Sequence, residues 1–549
     1  MKPIKKCLLS LVPIAFALCS CSQGGGKSKS VSSDAESSFV SSSASQQSND
    51  DGRASSSVTV SSDGAKEDSK SSSSKTSESK NSSSPSDGIA KPSATSVSFS
   101  FWTTFGQKNG AAVEKAATDF AKIVKEKEGV DVNISVNYQG GYTDIENKIT
   151  QGLSTGDTPT MAIAYPDHVA NYLSKANGKY VYNIEDYMND PVIGFGKQSY
   201  LGDASGSSVY DADDFVDTFL DEGSHYVKDG YYSLPLMKSS EVMFYNKKAV
   251  ANAMKIYMPD MLSDNDVDEF IKTMSWDQLL ELAEVARDNK DKVLSTMETP
   301  IWYDSDGNFI ISKMYQNDIP YSSVGEDGKG KIDFETGDAR TKTENLIKEI
   351  KKNADDGLLT TKGVNGTYGS DAFKSGKVIF EIGSSGGTGY NSPEGGSIDV
   401  GIVKVPASND NPLYVTQGPT MTFLRSSAVS EQENDARMYY AWQFAKYLTN
   451  PDTNVYLCIY GSEGYLPVRY SAYETDNFID FMEEGEIYAK SASVLINDID
   501  GHYLNTDVFV GSAQLRDKIG GALTSVLKGI KTDVSDAVSD AISDAKTYF

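Results

Sequence analysis

From Ser96 onward the chain alternates between two hydrophobic periods, and that alternation restricts it to one fold class. "SVSFSFW" switches apolar and polar residue by residue, the period of a strand ending at Trp102. In "NGAAVEKAATDFAKIVKEKEG", Val113, Ala117, Phe120 and Val124 recur every three or four residues, so an amphipathic helix stopped by Gly129 is predicted. "VDVNISVNYQG" returns to strand period. "YTDIENKITQGLSTGD" returns to helix period, with Ile145, Ile149 and Leu153 on one face, and "TPTMAIAYPD" reads as a short buried strand. This β-α-β-α-β order predicts a doubly wound α/β sheet with parallel strands. Ligand crevices in such sheets lie at the strand carboxyl ends. Trp102, Tyr142 and Tyr165 fall at or just after those ends.

The first 95 residues belong to a different physical regime. "MKPIKKCLLSLVPIAFALCSC" places Lys2, Lys5 and Lys6 before an apolar run from Cys7 to Leu18. That is the anatomy of a secretory signal, too short to span a bilayer as a mature helix. Its end, "LCSC", resembles a bacterial lipobox, with Cys21 as the lipidated residue: Leu18 stands three before it and small Ser20 one before it. Cys19 fits less well, because Phe16 would take the first slot. The alternative is an ordinary signal peptide with incidental cysteines. Residues 22–95 are Ser-rich, lack apolar periodicity and cannot offset the entropy of folding. The 74 residues of this linker give a root-mean-square reach of roughly 50 Å, a tether or a glycosylated stalk.

Composition narrows the partners. The net charge of −26 repels phosphate backbones and anionic lipid surfaces, so neither nucleic acid nor electrostatic membrane attachment is expected. Cys458 is the one cysteine of the globular part, so no internal disulfide framework is expected there. His168, His225 and His502 are scattered, and neither a Walker A loop nor GxGxxG occurs. Hence no cofactor or metal is expected. "DSDGN", Asp304 to Asn308, hints at a calcium loop, but its twelfth position is Tyr315 rather than Glu. "VSDAVSDAISDAKTYF" repeats every four residues and puts Val534, Val538 and Ile542 in one stripe, a helix packing on the body.

A run of segments carries a resemblance: "FWTTFGQ", "QGGYTDIENKITQGLSTGDTPTMAIAYPDHVANYL", "YYSLPLMKSSEVMFYNKKAV", "SWDQLLELAEVAR", "GKVIFEIGSSGG", "TQGPTMTFL" and "AWQFAKYLTNPDTNVYLCIYGSEGYLPVRYSAY". Their order behind a lipobox resembles that of family 1 extracellular solute-binding proteins, the substrate receptors of carbohydrate-type ABC importers. The resemblance implies a type II periplasmic-binding-protein-like fold over residues 96–549: two α/β lobes, a hinge and an interlobe cleft. It implies a first lobe of about 96–237 and 405–455, and a second of about 238–404 and 456–549. The implied partners are a sugar, oligosaccharide or polyol phosphate, ABC permease subunits and a lipid anchor, with a monomeric, non-catalytic, extracellular receptor.

Sugar sites combine flat apolar faces with fixed polar groups. Tyr142 and Tyr465, by resemblance to the family's ligand-contact motifs, and Trp102, by position, are candidate cleft aromatics; Trp102 reads equally as a strand-end plug of the core. Asp167 occupies the place of an acidic ligand contact, or caps the next helix. Ser239 and Ser240 follow the first crossing and either donate to ligand or serve the hinge. Ser384, Ser385 and Gly386 form a loop that faces the cleft or simply turns. Gly418 permits close backbone approach or a turn. Arg516 is the candidate cation for a phosphorylated ligand, or a helix-surface ion-pair residue. Two other function classes compete: a secreted carbohydrate-active enzyme, whose paired carboxylates composition alone neither supports nor excludes, and a surface adhesin or co-sensor on the same fold.

Overall fold

Strand β1 (Ser96–Thr103) pairs in parallel with both β2 (Asp131–Tyr138) and β3 (Met161–Ala164), as the alternating periods require. The computed structural model describes residues 88–197, 211–260, 263–408, 411–462, 464–497, 499 and 501–549. The signal, Cys21 and the linker up to residue 87 lie outside the described residues. The helix between β1 and β2 spans Gln107–Glu128 and ends at Gly129 in the left-handed region, its Val113, Phe120 and Val124 fully buried. The helix Tyr142–Thr155 buries Ile145, Ile149 and Leu153 and also ends on a left-handed glycine, Gly156. Contacts reach back beyond Ser96: Ile89 N–H donates to Asp190, and Lys91 pairs with Glu128 at 2.8 Å.

Two five-stranded sheets organise the body. The first runs β2-β1-β3-β13-β4, with β4 (Leu234–Pro235) and β13 (Thr420–Phe423) antiparallel additions. The second runs β11-β5-β10-β6-β9, from β5 (Glu241–Asn246), β6 (Ile301–Tyr303), β9 (Leu359–Thr361), β10 (Phe380–Ser384) and β11 (Val400–Lys404). Two short ladders complete the strands: β7 (Ser322–Val324) with β8 (Gly330–Ile332), and β12 (Tyr414–Val415) with β14 (Tyr503–Leu504). Alternation along β5 divides its faces. Val242 and Phe244 join the core shared with the first sheet, while Met243 and Tyr245 join the core under the helices of the second.

The chain crosses between sheets at Leu236–Ser240 and returns between β11 and β13. These crossings pair with each other and with a third segment. Lys238 exchanges backbone hydrogen bonds with Leu466, and Ser239 with Gln417. Gly418 makes this approach possible: its φ is +107°, and a Cβ there would lie 2.5 Å from the Met237 carbonyl oxygen.

The structure departs from the expected lobes at the C-terminal end. The turn Leu457–Gly461 packs on the helix Gln107–Glu128, and Leu466 and Val468 belong to the same core. The return to the second sheet comes later, where the helix Ile487–Asn497 covers β11 and β5. Helical periodicity marks these apolar faces but does not say which sheet they meet. The C-terminal helix Val534–Lys546 buries Val534, Val538 and Ile542, the predicted stripe. Asp306 of "DSDGN" accepts hydrogen bonds from Thr361, Thr524 and Gly363 N–H, so the motif ties elements together at the start of the helix Asp306–Gln316.

Candidate functional site

The carboxyl ends of β3, β6 and β10 face the same space, because the paired crossings bring the two sheets edge to edge. A cleft of about 1010 Å³ lies there, floored by Ser239 and the segment Val415–Gly418. Tyr142, Asp167, Ser239, Ser384, Gly386, Gly418, Tyr465 and Arg516 all line it.

Its aromatic part is built from local geometry. Tyr142 opens the helix Tyr142–Thr155, and Tyr165 stands just before the helix Pro166–Ser174. The two rings stack at 3.9 Å with 14° between planes. Burial, then proximity to Tyr165 and Tyr465, holds the Tyr142 hydroxyl well above its ordinary value. Tyr465 lies against the glycine turn after β10; a Cβ on Gly386 would approach its ring to 2.8 Å. Burial pushes the Tyr465 hydroxyl up to about 12. These phenols are neutral at physiological pH and available as hydrogen-bonding rings.

Charges in the cleft are mostly paired. Arg516, from the helix Ser512–Leu527, meets Asp167 at 2.6 Å, and its guanidinium stands 5.7 Å from the Tyr165 ring centre. Asp167 sits in the first turn of its helix and makes no N-cap bond; Tyr165 is the N-cap residue. Of the two readings of Arg516, a cation for a phosphorylated ligand or a helix-surface ion-pair residue, the pair with Asp167 fits the second, though it lies in the cleft. It joins the first-sheet helix Pro166–Ser174 to a helix packed on the second sheet. Fully buried Lys238 is paired with Glu222.

The wall formed by the second sheet is acidic. Glu381 on β10 is fully buried, Asp304 follows β6, and Glu241 starts β5; all three line the cleft. Tyr303 donates its hydroxyl to Glu241 at 2.5 Å, and Gly369 N–H donates to Asp304 at 2.7 Å. Burial raises all three carboxyls: Glu241 to about 7, Asp304 upward, and Glu381 well above the usual range, where the like charge of Asp304 adds to burial. A raised carboxyl is held protonated by the folded state, so that stabilisation is complete below the ordinary value of 4.5 and is lost as pH rises through 7. Glu241→Gln keeps an acceptor for Tyr303 and removes the proton. We expect the stability difference between variant and wild type to grow from pH 4.5 to 7, with a slope of at most about 1.4 kcal/mol per pH unit, in urea titrations. A difference independent of pH would contradict the burial of this carboxyl.

Three expected site residues do not line the cleft. Trp102 packs against the cluster of Ile145, Leu153 and Ala162, because strand alternation turns it away from the face of Phe101. Ser240 is buried and donates to the Val415 carbonyl at 3.1 Å, a hinge role. Ser385 is fully buried, and its N–H donates to Ser240 O at 2.8 Å. The sequence reading missed the acidic wall and Asn391. One signal was available: Glu381 interrupts the apolar run "VIFEIG", where an isolated charge needs a reason.

Comparisons with known proteins agree with this architecture. A family model described as bacterial extracellular solute-binding protein matches residues 115–482. No curated protein sequence matches. Solved structures do. UgpB from Mycobacterium tuberculosis, in complex with glycerophosphocholine, is similar with a TM-score of 0.59 and 16% identity, over 82% of this chain and 98% of that one. The GacH receptor of Streptomyces glaucescens GLA.O, studied unliganded and with acarbose, gives 0.57 and 17%, over 82% and 99%. The cyclic alpha-maltosyl-1,6-maltose binding protein of Arthrobacter globiformis gives 0.57 and 16%, over 82% and 98%. At these identities the likeness establishes the two-lobe fold.

Proposed function

We propose that this chain, which belongs to the bacterial extracellular solute-binding proteins, captures a sugar or oligosaccharide in its interlobe cleft and delivers it to the permease subunits of an ABC importer. The observation that carries this reading is the cleft itself. It sits over paired crossing segments, offers the Tyr142–Tyr165 stack and Tyr465 as apolar faces, and surrounds them with hydrogen-bond acceptors. Rings of this kind cover the C–H faces of pyranoses while carboxylates and amides take their hydroxyls. Solved structures of similar fold, bound to maltose or to mannotriose, support the same class. The reading is of a receptor without catalysis.

A thermal-shift panel of mono- to tetrasaccharides and glycerol phosphates tests it. A binder present at a hundredfold its Kd stabilises by about 2.7 kcal/mol. A panel in which no carbohydrate moves the melting temperature would contradict the reading.

The same proposal includes a lipid anchor on Cys21. Among the described residues, no helix is long and apolar enough to cross a membrane. Cys21→Ala is expected to release the protein from membranes or block its processing, while Cys19→Ala changes little. Fractionation and intact-mass measurement check this; a membrane-bound Cys21→Ala protein of normal mature mass would refute the anchor.

A further inference from the structure

The acidic wall is more than a sugar site requires. Glu381 is fully buried, and its carboxyl oxygens make no close hydrogen bond; the groups that face them are Asp304 and the Asn391 side chain. Asn391, 3% exposed and also lining the cleft, has an unpartnered side-chain oxygen. Register brings these groups together: β10 lies between β5 and β6, so Glu381 stands opposite Trp302 on the strand that Asp304 follows, and Asn391 closes the turn after β10. Once Glu381 gives up its proton, all of these atoms are acceptors. The basic side chains lining or bordering the cleft have carboxylate partners of their own: Arg516 with Asp167, Lys238 with Glu222 and His225 with Asp221. Lys362 also lines the cleft, 3.7 Å from the Tyr368 ring centre, and its charge only partly offsets the burial of Asp304.

We propose that Glu381, Asp304 and the Asn391 carbonyl recognise a protonated amine on the bound solute, so that the cleft takes an amino-substituted sugar in preference to a neutral or phosphorylated one. The proposal rests on the reading of this cleft as the solute site. An ammonium brings three donors and a compensating charge to a wall of acceptors. A hydroxyl donates one hydrogen bond and brings no charge to balance a deprotonated carboxyl. A phosphate adds acceptors and like charge where both are in excess.

The test uses the purified chain and four series of probes: glucosamine oligomers of two to four units, their N-acetylated forms, maltodextrins of equal length, and glycerol phosphates. Thermal shift ranks them and calorimetry gives Kd. The glucosamine series is expected to bind at least tenfold more tightly than its N-acetylated counterpart, and Glu381→Gln to abolish that preference. The ligand-free melting temperature of Glu381→Gln monitors the fold and is expected to equal or exceed that of wild type. Equal or tighter binding of the N-acetylated, neutral or phosphate series overturns the proposal while leaving a solute receptor. So does an amine preference that survives Glu381→Gln, or a shift by no amine probe. Silence of every series removes the receptor reading as well.

Discussion

Lys238→Met is expected to destabilise the protein by about 3–5 kcal/mol at pH 7, the usual effect of removing one partner from a buried ion pair. Lys238 is fully buried in the first crossing, and its ammonium is bonded to Glu222, which is itself buried. Methionine fills the aliphatic volume, so the loss comes from the stranded carboxylate rather than from a cavity. Burial already raises the Glu222 carboxyl even with the ammonium beside it. Without Lys238 the group takes up a proton, and the penalty shrinks as pH falls. Lys238→Met combined with Glu222→Gln is expected to recover much of the loss, since no buried charge remains. Urea denaturation at pH 5 and pH 7 checks all three statements. A penalty under about 1 kcal/mol, the range of exposed pairs, would mean that this hinge pair is solvated.

The second large effect concerns binding. Tyr465→Ala is expected to weaken the captured carbohydrate by about 2–4 kcal/mol, roughly 30- to 700-fold in Kd, the range for a buried aromatic anchor. Tyr465 follows Gly464, whose φ is +139° and whose missing Cβ would overlap the Ser385 carbonyl oxygen. That approach fixes the ring beside Gly386 on the floor of the cleft, between Tyr142 on the first lobe and the turn after β10. Tyr465→Phe keeps the apolar face and is expected to stay within about tenfold of wild type, one hydrogen bond apart. Calorimetry gives the affinities and ligand-free melting the fold. Near-wild-type affinity for Tyr465→Ala would remove this ring from the site, and a collapse of ligand-free stability would make it a core residue.

The elements built from local contacts were legible in the sequence. The first three strands and the two helices between them follow from period, with Gly129 and Gly156 as stops. The C-terminal helix follows from the spacing of Val534, Val538 and Ile542. Tyr142, Asp167 and Tyr465 were found through position and resemblance, and the structure brings them to one cleft. What was not legible depends on register between distant strands. Nothing in "VIFEIG" says that Glu381 will stand beside Asp304, because their proximity is set by the pairing of β10 with β6. Arg516 and Asp167 are far apart in sequence and meet only through the packing of two lobes. For Trp102 the end of a strand left rim and core both open, and alternation turns it to a core cluster.

The central claim is that one small carbohydrate is held by both lobes at once. Hydrogen exchange, with and without the oligosaccharide giving the largest thermal shift, tests it most directly. Peptides containing Tyr142, Tyr165–Asp167, Glu381–Asn391 and Tyr465 are expected to gain protection together, since they line one cleft from both sheets. Protection confined to one lobe, or lying outside these segments, would contradict the account.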